Sequence, residues 1–201
     1  MKTRLVFLVV AMFVACIAHS AAAQPSERII KRLPVEKNEP IEITDVKVEG
    51  QSVSFDKAFM AGDDWLRTVV FSIRNKSDKV ILFASLRLQF PRPAGSEERI
   101  SVYNLYWGNW GLQIQPRKPG EQSVVMKPGD SDEIKLSAQQ FTDLRDFLSM
   151  THYPFSIERV DLSIAPIIFD DDSMWYAGDI SRRAPNDPAT WINSRYSNSK
   201  P

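Results

Sequence analysis

The stretch Trp65–Phe90, WLRTVVFSIRNKSDKVILFASLRLQF, decides the fold class that this sequence predicts. Apolar residues occupy alternate positions in its two halves, and a period of two is typical of half-buried strands. The polar residues 75–79 between the halves predict a turn, so we expect an antiparallel hairpin. The residues expected to share a face are Trp65, Val69, Phe71 and Ile73 in the first half and Val80, Leu82, Ala84, Leu86, Leu88 and Phe90 in the second.

Similar short runs surround this stretch. Residues 41–48 alternate with a phase shift of one residue, which predicts a strand with a bulge. Further strands are predicted at residues 100–107, 112–115, 124–126, 133–136, 160–164, 168–169 and 174–176. Many short strands separated by turn signals favour a mostly β protein, an antiparallel β-sandwich.

One short α-helix is expected within this β pattern, at about residues 138–149. Ser137 with Gln140 three positions later has the capping-box arrangement. Phe141, Leu144 and Leu148 recur at helical spacing, so the helix should lay one apolar side on the sheet.

Two segments carry a resemblance to a known family. The run from Phe71 to Ile81 and the Lys127–Asp130 turn, KPGD, resemble immunoglobulin-like domains of bacterial secreted proteins. The resemblance implies an immunoglobulin-like β-sandwich. It implies no activity, because such sandwiches carry unrelated functions.

Residues 1–23 have the composition of an export signal. A basic start, an apolar run from Leu5 to Ala18 and the small residues before Gln24 fit a cleaved signal peptide, and the run is shorter than the roughly 20 residues of a membrane span. We therefore expect a periplasmic or secreted protein without an integral membrane segment. Residues 24–40 are interpreted as an N-terminal extension, residues 41–178 as the β-sandwich domain and residues 179–201 as a polar C-terminal tail.

The alternative is a lipid anchor. Cys16 after Phe13-Val14-Ala15 loosely resembles the lipobox of bacterial lipoproteins, which would place the protein on the outer membrane.

Composition excludes several function classes for the chain that follows the signal. Of 25 basic and 25 acidic residues the signal removes only Lys2 and Arg4, which leaves a net charge near −2 and argues against nucleic acid binding. His152 is then the only histidine and no cysteine remains, so a Ser-His-Asp triad and a zinc site lack their parts. No nucleotide-binding glycine motif is present, and we expect no cofactor.

The carboxylates Asp170, Asp171 and Asp172 form the densest acidic run. We interpret them as a solvated turn between strands. A calcium site is the alternative, although the run lacks the spacing of an EF-hand loop. A second alternative is a small carbohydrate-active hydrolase that uses only carboxylates, such as these three with a distant glutamate.

The aromatic segment Tyr103–Gly111, YNLYWGNWG, is the most suggestive candidate for binding. Exposed tryptophan and tyrosine beside asparagine can stack on a sugar or anchor a protein interface. The competing interpretation is that the large rings are core residues. The residues predicted to contact an unidentified protein or glycan partner are Tyr106, Trp107, Asn109 and Trp110.

These observations together predict an exported, non-enzymatic protein that binds or supports a component of the cell envelope or of secretion.

Overall fold

The computed structural model describes residues 25–92, 100–118 and 120–193. This part of the chain is mostly β, with two sheets and one α-helix. The export signal and Cys16 lie outside the described residues. No helix within the described part is long and apolar enough to cross a membrane.

The elements follow one another along the chain. The strands are β1 (Ser26–Arg32), β2 (Ile41–Val48), β3 (Gln51–Ser52), β4 (Ala58–Ala61), β5 (Val70–Asn75), β6 (Ile81–Phe90), β7 (Ser101–Gly108), β8 (Ser131–Lys135), β9 (Arg159–Phe169), β10 (Ser173–Tyr176), β11 (Asp179–Ala184) and β12 (Asp187–Asn193). The helix is α1 (Ala138–Met150), and 3₁₀ helices span Trp65–Thr68 and Trp110–Gln113.

The strands form a large sheet and a small sheet. The small sheet has the order β3-β2-β5-β8 and is antiparallel throughout. In the large sheet β9 pairs with β6 on one side, and with β1 and β10 on the other; β7, β4, β11 and β12 extend it outward. The pair β1–β9 is parallel, so the prediction of a purely antiparallel architecture is wrong at this one pair.

The predicted hairpin in residues 65–90 does not form. β5 pairs with β2 and β8 in the small sheet, whereas β6 pairs with β7 and β9 in the large one. The turn between them is therefore an arch from one sheet to the other. Asn75 stabilises it: its buried side-chain amide donates to the carbonyls of Lys79 (2.8 Å) and Met126 (2.9 Å), and its Oδ1 accepts from Ser77.

A bulge also changes the predicted face of the second run. Ala84, Leu86, Leu88 and Phe90 enter the main core as expected, but Leu82 does not. The register of β6 against β9 shifts between Ile81 and Phe83, and an extra residue in a period-two chain reverses the faces on either side of it. Leu82 and Phe83 consequently belong to a second, smaller cluster with Leu112 and Ile168.

The main core receives side chains from both sheets and from α1. Phe71, Ile73 and Ile134 enter it from the small sheet, and Leu86 and Leu162 from the large one. We name the surface of the large sheet that points away from this core the outer face. The second cluster lies on the outer face, beneath residues 110–113 and Trp191, whose Nε1 donates to the Gln113 carbonyl at 3.0 Å.

The predicted helix is confirmed. α1 begins after Ser137, whose Oγ accepts from the Gln140 backbone nitrogen (3.1 Å) while Gln140 Oε1 accepts from the Ser137 nitrogen (2.9 Å). Leu144 and Leu148 are buried. The helix therefore contributes Leu144 and Leu148 to the main core.

Five segments differ from their sequence interpretation. Residues 65–68, expected to begin a strand, form a 3₁₀ helix, and the strand expected at residues 124–126 is reduced to an isolated bridge between Met126 and Ile81. The region read as an N-terminal extension contributes β1, and the region read as a polar tail contributes β11 and β12. Residues 112–115, expected to be a strand, include the end of the second 3₁₀ helix, because Asn109 caps it: its Oδ1 accepts from the Gly111 nitrogen at 2.9 Å.

Candidate functional site

The aromatic segment divides between core and surface along β7. Leu105 and Trp107 point into the main core, and Trp107 is only 7% exposed. Its indole Nε1 donates to Asp132 Oδ2 at 2.7 Å, which joins the edge of the large sheet to the small sheet. The sequence grouped Trp107 with the surface residues, whereas the structure makes it a packing residue, because it shares the inward face of the strand with Leu105.

Tyr106 takes the opposite side of β7. Its side chain is 43% exposed on the outer face. Its ring lies 6.0 Å from the ring of Phe83, which belongs to the second cluster. A buried phenylalanine thus supports Tyr106 from below and leaves its other face open.

Gly108 ends the strand and redirects the chain. Its φ is +80°, and a Cβ at this position would lie 2.2 Å from the backbone oxygen of Leu82. Only glycine fits such a close approach with a left-handed backbone. The turn at Gly108 carries the chain into the Asn109 cap and brings Trp110 to the surface.

Trp110 lines an open groove and is 58% exposed. The groove has a volume of about 380 Å³ and lies between the second 3₁₀ helix and the loop that follows it. Its lining residues are Asn109, Trp110, Gly111, Leu112, Ile114, Gln115, Pro116, Lys118 and Glu121. We refer to this site as the Trp110 groove.

Hydrogen bonds fix the polar wall of the Trp110 groove. Asn109 Nδ2 donates to Glu121 Oε1 at 3.1 Å, and the backbone nitrogen of Lys118 donates to Glu121 Oε2 at 3.1 Å. Arg183 supports the loop from the sheet side, since its guanidinium donates to the carbonyls of Leu112 and Gln115. The groove therefore presents an exposed indole beside amide and carboxylate groups whose positions are held before any ligand arrives.

The sequence identified Asn109 and Trp110 but missed Gln115, Lys118 and Glu121. These three lie in a loop without periodicity, and they reach the groove because the loop folds back on Asn109. The spacing of polar residues after the aromatic segment gave no signal for them.

Two of the three acidic residues of the β9–β10 turn pair with different cations. Asp171 Oδ2 accepts from Lys79 Nζ at 2.7 Å, and Asp172 Oδ1 accepts from Arg183 Nε at 2.7 Å. Burial raises the pKa of Asp171, but hydrogen bonds from Lys79 and Ser173 outweigh it and hold the pKa below its ordinary value. The described part of the chain has no group of three or more His, Cys, Asp or Glu side chains placed to hold a metal ion.

A larger cavity, of about 600 Å³, opens between residues 36–40, the arch at 76–79 and strands β9–β11. Its buried acid, Glu39, accepts from Arg32 Nη2 at 2.5 Å. Lys79, on its rim, donates to Asp171 and Ser173. These charged groups serve the fold, and they do not converge on a common point in the cavity.

Asp63 belongs to a partly buried network around Arg28 and not to the Trp110 groove. It accepts from Ser156 Oγ at 2.8 Å and from Arg28 Nη2 at 2.7 Å, and Arg28 is completely buried. The Ser156 hydrogen bond first, and the Arg28 bond next, lower the pKa of the Asp63 carboxyl. The network ties β1 to the segment that leads into β9.

This network predicts a loss of stability in acid. Folding lowers the pKa of Asp63, so the ionised carboxylate stabilises the folded state. This contribution to the free energy of unfolding is complete above the ordinary carboxyl pKa of about 3.9, and it is lost as the pH falls through the lower pKa of the folded state. Thermal unfolding followed by circular dichroism should show that Asp63→Asn reduces the dependence of Tm on acidic pH. Asp64→Asn is the control, since Asp64 is exposed and makes no capping bond to the 3₁₀ helix that follows. Equal slopes in the Asp63 variant and the wild type would contradict the assignment.

His152 is exposed just after α1, with φ of +53°, and its backbone nitrogen donates to the Ser149 carbonyl. His152 therefore helps to terminate α1.

Comparison with known proteins adds no relative. No protein-family model, no curated protein and no solved structure matches this chain. We therefore infer function from the geometry of the chain itself.

Proposed function

We propose that this chain is an exported, non-enzymatic binding protein whose ligand occupies the Trp110 groove. The observation that carries the proposal is the 58% exposure of Trp110 beside a polar wall held by hydrogen bonds. An exposed tryptophan loses hydration when a ligand covers it, which makes such residues frequent anchors of binding energy.

The proposal includes an immunoglobulin-like β-sandwich as the scaffold. Support comes from the two sheets that contribute to one core and from the resemblance of the Phe71–Ile81 and Lys127–Asp130 segments. The Lys127–Asp130 segment forms a β-turn. Gly129, after Pro128, has φ of +84°, and the Asp130 nitrogen donates to the Lys127 carbonyl. Export is proposed from the composition of residues 1–23. Mass spectrometry of the mature chain tests it: a start at Gln24 supports a cleaved signal, a lipid-modified Cys16 contradicts cleavage before Gln24 and indicates a lipid anchor, and an unprocessed Met1 contradicts export.

Replacing Trp110 by alanine should weaken ligand binding without unfolding the protein. Removing one stacked aromatic contact is worth about 1–3 kcal/mol, which corresponds to roughly a 5- to 150-fold loss of affinity. The measurement is binding of the folded chain to arrays of immobilised glycans and of synthetic peptides, followed by titration of each ligand that is retained.

The control is Met150→Ala, which removes an equally apolar side chain that is 74% exposed at the end of α1. We expect wild-type binding from this variant. Unchanged affinity in Trp110→Ala, or no wild-type binding on either array, would contradict the proposed function. Assaying each retained glycan for newly released reducing ends separates binding from hydrolysis.

A further inference from the structure

We infer that a second copy of this chain pairs with the free edge of β7, so that the large sheets of two copies join into one continuous sheet around a two-fold axis at Asn104. The β7 edge is the row of backbone groups of Ser101–Gly108 that faces away from β6. The inference goes beyond the proposed function, because it requires no ligand in the Trp110 groove.

The β7 edge has no partner strand in the described ranges. β7 pairs with β6 alone among the described strands. No further backbone hydrogen bond joins residues 101–108 to another described residue. The chain that follows does not cover the edge, because Gly108 redirects it and residues 110–113 lie over the second cluster on the outer face. An eight-residue strand therefore ends the large sheet with an unpaired row of backbone donors and acceptors.

The other edge strands of the described part carry features that hinder strand pairing. β3 and β4 have only two and four residues. β8 carries Asp132, Glu133 and Lys135, and β12 contains Pro188. β1 and β2 carry charged residues where they extend beyond β4 and β3. Short length, charge and proline are the usual means by which an edge strand avoids another chain, and β7 has none of them.

Side-chain contacts on the core side hold β7 in position. Trp107 Nε1 donates to Asp132 Oδ2 at 2.7 Å, and the Tyr103 hydroxyl donates to the Gln140 carbonyl at 3.2 Å. These two bonds tie the inward face of β7 to β8 and α1. A strand that is already fixed loses little conformational entropy when another strand pairs with it.

Symmetry determines the register of such a pair. Two identical strands pair antiparallel around a two-fold axis perpendicular to the sheet, and residues opposite one another share a face. The axis therefore passes through a residue. An axis at Asn104 pairs residues 101–107 of the two copies and leaves out Gly108, whose φ of +80° is not extended. An axis at Leu105 would require Gly108 to pair, and an axis at Tyr103 would shorten the ladder.

The side chains that this register brings together are complementary. On the outer face Val102 lies opposite Tyr106 of the second copy, and symmetry forms this pair twice. The two residues are 40% and 43% exposed in the single chain. A β-branched residue beside an aromatic ring is a favourable cross-strand pair. Asn104 meets its own copy at the axis, where each amide has both a donor and an acceptor.

Charge favours a second copy at this edge. β7 has no charged residue, so two copies of it meet without like charges in the paired strands. Arg87 lies opposite Asn104 on β6, and its Nη2 donates at 3.1 Å to the hydroxyl of Tyr176, which lies on the side away from β7. In the joined sheet the β6 strands of the two copies are three strand spacings apart, roughly 14 Å. Pairing therefore buries no unpaired charge.

Sedimentation of the full mature chain, from micromolar to near-millimolar concentration, tests the association. Because the contact is confined to one strand of each copy, we expect a dimer that dissociates on dilution, as interfaces below about 1,200 Å² commonly do. Val102→Lys should raise the dissociation constant at least about tenfold, because it removes both Val102–Tyr106 pairs and charges the edge. Val124→Lys is the matched control, since Val124 is 63% exposed and lies outside the strands.

Single cysteines test the register, since the mature chain has none of its own. Asn104→Cys should form a disulfide-linked dimer on mild oxidation, because directly opposed residues have Cα atoms about 4.5–5.5 Å apart, within the range of a disulfide. Val102→Cys and Tyr106→Cys should each fail alone, because four residues of about 3.3 Å separate each from its own copy. A mixture of these two variants should become linked. Met150→Cys, at a residue 74% exposed on α1, measures linkage through random collision.

Several results would overturn the inference. It is wrong if the wild type remains a monomer throughout the concentration series, or if Val102→Lys dimerises as well as Val124→Lys. Linkage of Asn104→Cys no faster than that of Met150→Cys would mean that the copies do not meet at this edge. A monomer that binds an array peptide, and loses it in Val102→Lys, would assign the edge to an extended peptide instead.

The dimer and the proposed function fail separately. Trp110→Ala should dimerise as the wild type does, and Val102→Lys should retain any ligand that the Trp110 groove binds. Unchanged Tm in each variant shows that it remains folded.

Discussion

Replacing Trp65 by alanine is expected to lower the free energy of unfolding by about 3–5 kcal/mol, the usual cost of deleting a fully buried tryptophan. Trp65 is 1% exposed and packs edge-to-face against Phe59, with ring centroids 5.4 Å apart. Its Nε1 also donates to the Ile157 carbonyl at 2.8 Å, so the variant leaves a cavity and removes one of the two hydrogen bonds that this carbonyl accepts, the other coming from Arg28 Nη1 at 3.1 Å. Chemical denaturation followed by tryptophan fluorescence and circular dichroism measures the change.

Trp110→Ala is the matched control for this experiment. It deletes the same side chain, but from a position 58% exposed, where substitutions usually change stability by no more than about 0.5 kcal/mol. Comparing the stability losses of the two variants separates the effect of burial from the effect of deleting a tryptophan side chain. Equal losses of stability in the two variants would move Trp110 into the core and remove the basis of the Trp110 groove.

Gly108→Ala is expected to destabilise the chain by about 3 kcal/mol, because it combines a left-handed backbone with a steric clash. The new Cβ would meet the Leu82 backbone oxygen at 2.2 Å, and a backbone atom cannot move aside as a flexible side chain can. Relief requires β6 and β7 to separate at the bulge or Gly108 to change conformation. Either movement displaces Asn109 and Trp110, so ligand binding should fall together with Tm.

Gly50→Ala isolates the conformational part of this effect. Gly50 has φ of +79°, almost the same as Gly108, and no atom lies within 4 Å of a Cβ built there. We expect a loss of only about 1–2 kcal/mol, the cost of a left-handed conformation for a residue with a Cβ. If both variants lose the same stability, the approach to Leu82 is not what requires glycine at position 108.

Local chemistry explains which elements the sequence predicts correctly. The bulged strand at residues 41–48 is confirmed, with its register shift between Ile43 and Asp45. The helix with its Ser137–Gln140 capping box is confirmed as well. Each depends on residues a few positions apart, so periodicity and capping rules are sufficient to predict it.

Long-range partners explain what the sequence could not predict. Whether β5 and β6 pair or separate depends on Asn75, whose amide reaches the Met126 carbonyl more than fifty positions away in the chain. The reversal of Leu82 depends on a bulge defined against β9. Turn composition alone is compatible with a hairpin and with an arch, so the hairpin prediction was wrong for a reason that no local pattern contains.

The candidate site shows the same division. The period of two in β7 is sufficient to separate Trp107 from Tyr106, since alternate residues face opposite sides. The polar wall of the Trp110 groove needs Glu121 to return to Asn109 across a loop with no regular pattern.

The parallel pairing of β1 with β9 has a consequence for folding during synthesis or export. Residues 29–32 take their place only against residues 159–162, while β4 binds the other side of the same strand. A ribosome or a secretion channel delivers the amino end first, so β1 can pair early with β4, but its β9 side stays without a partner until most of the polypeptide has emerged. Contacts between such distant parts form slowly, and a strand edge without its partner is exposed to aggregation in the meantime. A chaperone that shields β1 in the nascent chain would therefore raise the yield of native protein.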